Sequence, residues 1–197
     1  MVATLDKSNV TTLFLTVPPY VLAVITTFLN TLHADRTGER FFHVTIPLLF
    51  GIAAFIIAAS TTAFAPRYVA MMLMPAGVYT GYVVGLAWIS NTLPRPPAKR
   101  AAALALINAV SNATSIYSSY MYQDKDAPRF IPAMSVNAVT LLISIACALV
   151  LRIWLTRLNK RLDAGGVVDG ISQDGVENVN AGGGSSKQID HGFRYLV

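Results

Sequence analysis

Five stretches of this chain run for about 20 residues each with hardly a charged side chain, the length a helix needs to cross the hydrocarbon core of a bilayer. They cover residues 10–32, 43–64, 68–91, 101–122 and 131–155. The first, VTTLFLTVPPYVLAVITTFLNTL, is too long for the core of a cleavable signal, and no basic cluster precedes it. None of the five alternates apolar and polar residues with the period of two that a barrel strand requires. Pro18, Pro19 and Pro75 would break helices in water, whereas neighbouring helices in lipid can satisfy the backbone groups that proline frees. The sequence therefore predicts an all-α, polytopic membrane helix bundle, with about five transmembrane helices within residues 1–158.

Composition points the same way. Charged residues make up 13% of the chain, against about 25% in soluble domains, and the mean hydropathy is +0.52. The 15 Lys and Arg against 10 Asp and Glu give a net charge of +5. These bases sit between the apolar runs and in the tail, without the aromatic interleaving of a nucleic-acid surface, so membrane lipid is the expected partner and nucleic acid is not. The lone Cys147 lies inside an apolar run and reads as a small buried residue, with no disulfide framework or cysteine metal site. Beyond Leu158 the chain turns to Gly, Asn, Ser and Asp, and residues 159–197 are expected to form a disordered tail.

Charge also sets an orientation. If the loop between the first two runs is cytoplasmic, that side holds Arg36, Arg40, Arg95, Lys99, Arg100, Arg152, Arg157, Lys160 and Arg161. The other side then holds Lys7, Arg67, Lys125 and Arg129. The positive-inside rule places the N-terminus outside and the tail in the cytoplasm.

That first loop, TLHADRTGER, concentrates acids, bases and a glycine between two apolar runs. Asp35, Arg36, Gly38 and Arg40 stand as D-R-x-G-x-R, which predicts a tight turn at Gly38 with the carboxylate placed to pair with an arginine or to cap a helix N-terminus. Two readings stay open on spacing alone. One is a contact that locks one conformation and is released in another; the other is a solvated loop that obeys the charge rule.

ADRTGER resembles the loop signature of the major facilitator superfamily, with Thr31 where that pattern has its first glycine and Glu39 where it prefers a base. LTVPPYVLAVI, GVYTGYVVGLAWISNTLPRPPAKRAAALALINAVSNATSIYSSYMY and DAPRFIPAM resemble the later helices of fungal anion:cation symporters, the allantoate and nicotinate permease group. The resemblance implies that the five runs correspond to helices 8 to 12 of a two-half carrier in the plasma membrane. It further implies transport of a small organic anion together with protons. Such carriers bind substrate between two six-helix halves. The chain is accordingly expected to be a C-terminal fragment that needs the missing half, or a second copy, to complete its cavity; a non-transporting helix bundle is the alternative.

The fourth run supplies the clearest candidate site. Asn108, Asn112, Ser115, Ser119 and Tyr122 fall on one helical stripe, and in lipid such a stripe faces protein or water. These groups can hold a carboxylate or amide, or simply bond to other helices. Tyr79 and Tyr82 of the third run can reach the same cavity or pack against neighbours. Gly77, Gly81 and Gly85, together with Ala105 and Ala109, repeat a small residue every fourth position and read as close helix packing. Trp88 reads as an interface anchor.

Ionisable groups are missing where a proton carrier would need them. Up to Ala148 the five runs contain no Asp, Glu, Lys or Arg inside their ends, and His33, His43 and His191 are too scattered to suggest a metal site. No hydrolase, P-loop or zinc-protease motif is present, so no enzyme, cofactor or metal is expected.

Overall fold

The computed structural model describes residues 9–93, 97–123, 126–127, 129–164 and 194–197. Five helices follow one another: α1 (Asn9–Thr37), α2 (Phe41–Ser60), α3 (Phe64–Thr92), α4 (Pro97–Met121) and α5 (Ile131–Asp163). No strand occurs among the described residues. α1, α2, α3 and α5 are long and apolar enough to cross a membrane. α4 has the length, at 25 residues, but its asparagines and serines make it less apolar.

Most of the helices outrun the apolar segments. The 33 residues of α5 extend about 50 Å, well beyond a hydrocarbon core of about 30 Å, so its last turns carry Arg157, Lys160 and Arg161 past the lipid on continuous helix. Arg67 likewise belongs to the first turn of α3 and is buried, not placed in a loop as its sequence position suggested. The loop after α1 turns at Gly38, whose φ of +70° is the left-handed conformation glycine adopts without strain; its N–H bonds to Ala34 O at 3.0 Å and ends the helix.

α2 and α3 form the centre. A Cβ placed on Gly77 would lie 2.5 Å from Pro47 O and 2.8 Å from Gly51 N, so the two backbones touch where only glycine permits it. α1 lies against α3, α5 against α2, and α4 rests mainly on α3. Successive helices alternate in direction, which brings the α1–α2 turn, the end of α3 and the end of α5 together at one charged end of the bundle.

The prolines explain two bonds between helices. Proline has no N–H, so Pro19 leaves Leu15 O unbonded within α1 and Pro47 leaves His43 O unbonded within α2. Tyr68 of α3 donates its hydroxyl to Leu15 O at 3.3 Å, and Asn30 of α1 donates its amide to His43 O at 2.9 Å. Each freed carbonyl thus becomes a point of attachment for another helix.

The tail departs from its expected disorder at both of its described ends. Residues 159–163 continue α5, and Arg194–Val197 pack against the charged end with Tyr195 buried. The stretch 165–193 lies outside the described residues.

Candidate functional site

The polar stripe of α4 meets α3 at one point. Tyr82 donates its hydroxyl to Asn108 Oδ1 at 3.0 Å, while Asn108 Nδ2 bonds back to Leu104 O and Asn112 Nδ2 to Asn108 O. Asn108, Asn112 and Ser115 are exposed, which leaves their remaining hydrogen-bonding capacity open, whereas Tyr82 is partly exposed and also lines an apolar cleft with residues of α2, α4 and α5. The side chain of Ser119 lies outside the described residues. Tyr122 ends the stripe, and its hydroxyl accepts from Asn137 Nδ2 of α5 at 3.0 Å.

Tyr79 lies one turn before Tyr82 on α3, where a second cleft adjoins. With Tyr122 it lines a cleft of about 350 Å³ that also takes in Thr16 and Tyr20 of α1. Neither α1 residue stood out in the sequence, although their four-residue spacing puts them on one helical face. Asn137 was also unmarked, since a lone amide in an apolar run carries no periodic signal. The site offers amide and hydroxyl groups with no fixed charge, which suits a polar or carboxylate ligand held by hydrogen bonds.

Two further polar contacts, both between side chains, tie α1 to its neighbours. Thr27 Oγ1 and Thr80 Oγ1 are 2.9 Å apart, with Thr80 buried. His33 Nδ1 and His43 Nε2 are 2.6 Å apart, so two histidines that looked scattered in the sequence are paired by the turn. Among the described residues no group of three or more His, Cys, Asp or Glu forms a metal cluster.

The D-R-x-G-x-R loop is an ordered structure. Arg40 Nη2 lies 2.5 Å from Asp35 Oδ1, with Arg40 buried and the Asp35 side chain 54% exposed. Arg36 stays exposed. Arg152 of α5 joins from across the bundle, its guanidinium 4.7 Å from the ring centres of both Phe41 and Phe42 and 3.7 Å from Glu39. The loop is thus held to α5 by cation–π contact as well as charge.

The small residues divide. Gly77 and Gly81 lie against α2, a Cβ on Gly81 falling 2.7 Å from Leu48 Cδ2. Gly85 has nothing within 4 Å of such a Cβ and borders an apolar cleft of about 450 Å³ lined by α2, α3, α5 and Ile107 of α4, so it packs against no helix. Ala105 and Ala109 are exposed because α4 touches little beyond α3. Cys147 is exposed on the wall of the same cleft, not buried, since α5 stands off from α2 and α3 there and leaves the cleft open. Trp88, in contrast, is 2% exposed and donates its indole N–H to Leu196 O at 2.9 Å, so it is a core residue rather than an interface anchor.

Long apolar helices and a polar face that opens outward define an integral membrane protein, and the chain's similarities lie with transporters. It is 30% identical over 166 residues to the MFS-type transporter efuF of Hormonema carpetanum, covering 83% of this chain and 34% of that protein. The uncharacterized transporter C1683.12 of Schizosaccharomyces pombe is 30% identical over 119 residues, 60% of this chain and 24% of that one. A second, C11D3.18C, is 24% identical over 150 residues, 76% and 30% of the two chains. The chain therefore spans about a third or less of the length of the curated relatives it matches. No family model and no solved structure matches it.

Proposed function

We propose that this chain contributes five helices to a major facilitator carrier of the anion:cation symporter type, which moves a small organic anion together with protons across the plasma membrane. The Tyr82–Asn108 pair carries this reading, because it fixes an outward-facing amide surface at the depth of apolar helices, where hydrogen-bonding groups are costly unless they meet a partner or a ligand. Partner helices, from the missing half or from a second copy, close that surface into a cavity. They also supply the charge, since α2, α4 beyond Arg100 and α5 before Arg152 hold no Asp, Glu, Lys or Arg. The N-terminus lies outside and the tail in the cytoplasm, with the D-R-x-G-x-R loop stabilising an inward-closed arrangement.

A non-transporting bundle is the second reading. It draws on the open face of α4, which rests mainly on α3 and encloses nothing by itself. Uptake of radiolabelled carboxylates by cells expressing the chain separates the two. Uptake above empty cells that is lost in Asn108→Leu supports the carrier. Uptake equal to empty cells, also when a relative's other half is co-expressed, supports the second reading.

A further inference from the structure

Four consecutive residues far from the helices in sequence sit in a groove built by three of them. Asn159 of α5 clasps the main chain of Tyr195 twice: its Nδ2 donates to Tyr195 O at 2.9 Å and its Oδ1 accepts from Tyr195 N–H at 3.0 Å. Trp88 of α3 donates to Leu196 O at 2.9 Å, and the backbone N–H of Arg40, at the start of α2, donates to Val197 O at 3.1 Å. Tyr195 is buried at 5% exposure among the core residues, and Leu196 Cδ2 lies 3.8 Å from where a Cβ on Gly38 would be. Arg194 adds an exposed ion pair with Asp163 at 2.9 Å.

The groove reads main chain. A buried indole N–H needs an acceptor, and a helix start leaves backbone N–H groups without helical partners. Trp88 and Arg40 meet those needs with main-chain oxygens of successive residues of one segment, and the Asn159 amide matches the donor and acceptor of a single residue. Without the segment, three donors from three helices lose their acceptors together.

We propose that the charged end of the bundle is a docking groove for an extended peptide, and that its occupant is this chain's own segment Arg194–Val197, acting as a strap across α2, α3 and α5. The strap holds the backbone of Arg40, the residue whose side chain pairs with Asp35, so seating of the tail and the state of the loop are coupled. The inference does not depend on transport.

Cross-linking in membranes tests it on the full chain. In a Cys147→Ser background, Asp163→Cys with Arg194→Cys, which leaves the Asn159 clasp intact, should be joined within one chain by a short bis-maleimide, while Val139→Cys with Arg194→Cys should not. A cross-link between two chains, equal cross-linking in both pairs, or none in either would overturn the proposal. A second reading uses fluorescence in a Trp154→Phe background, which leaves Trp88 as the reporter. Deleting residues 194–197 should raise quenching of Trp88 by iodide severalfold, and a synthetic peptide of residues 191–197 should reverse the rise. Unchanged quenching in a deletion variant of normal helicity, or equal rescue by a scrambled peptide, would overturn it. If the deletion variant loses helicity, Asn159→Leu replaces it, with the same expected rise in quenching.

Discussion

Asn30 on α1 donates its amide to the carbonyl of His43 at 2.9 Å, the acceptor that Pro47 leaves open inside α2. A helix irregularity that would be a defect in isolation therefore fastens two helices. Asn30→Leu should cost about 1 kcal/mol, toward the lower end of the penalty for an acceptor left without a donor, since the site is partly buried. The cost should shrink in a Pro47→Ala background, where the introduced alanine brings an N–H that can fill the carbonyl from within the helix. Thermal unfolding of the four proteins in detergent measures this cycle, and equal losses in both backgrounds would refute the link between the two residues.

The three glycines of α3 should rank by what their Cβ would meet. At Gly77 the obstacles are the backbone atoms Pro47 O and Gly51 N, which cannot rotate away. Gly77→Ala should cost about 1–3 kcal/mol or more as α2 and α3 are forced apart. Gly81→Ala meets the end of the Leu48 side chain and should cost less. Gly85→Ala meets open space and should be neutral, or stabilising by up to about 1 kcal/mol through helix propensity. The same logic makes Gly81→Leu more damaging than Leu86→Ala. Melting temperatures in one detergent check the order.

Asp35→Asn removes the countercharge of a buried arginine. Arg40 Nε and Nη1 are buried without hydrogen-bond partners, so little else compensates the guanidinium. Because Asp35 is half exposed, the loss should fall between the surface and buried limits, about 2 kcal/mol. Arg36→Ala, at an exposed position, should change stability by less than about 0.5 kcal/mol. Equal melting temperatures for the two variants would contradict this.

Arg152 should matter more through the phenyl rings than through its acid. Arg152→Ala should cost about 1–2 kcal/mol from lost cation–π contact and packing with Phe41 and Phe42. Glu39→Gln, which weakens a 3.7 Å exposed pair, should cost no more than about 0.5 kcal/mol. A double-mutant cycle of Arg152→Ala with Phe41→Leu measures the coupling directly.

Thr80→Val should cost about 0.6–1.7 kcal/mol, the range for a hydrogen bond between membrane helices, because it keeps the shape of Thr80 and deletes its contact with Thr27. The same substitution combined with Thr27→Val should cost little more than either alone. Additive losses would show that the hydroxyls act separately.

Five helices, their order and the turn at Gly38 were legible in the sequence, because membrane crossing depends on the apolarity of one continuous window and a left-handed turn on one residue type. The acid and base of the loop were legible as a cluster, but their pairing, Asp35 to Arg40 with Arg36 left outside, was not. Nor was the bond of Tyr82 to Asn108, two residues that the sequence marks separately as cavity candidates. Trp88 and Cys147 lie in surroundings other than those the sequence suggests. An aromatic near a helix end suits an interface or a core equally well, and a thiol in an apolar run gives no sign of which face it occupies.

What the sequence alone determined is the solvent this protein lives in and the helical segments that meet it, since hydropathy acts within each segment. The tertiary structure decided which faces meet. Gly77 and Gly85 are the same residue two helical turns apart, yet one touches the backbone of α2 and the other meets open space. Likewise, nothing local to Tyr195–Val197 reveals that Asn159, Trp88 and Arg40 bond to its main chain. Such contacts join groups tens of residues apart, and their energies depend on distances set by the packing of whole helices, which no window of sequence contains.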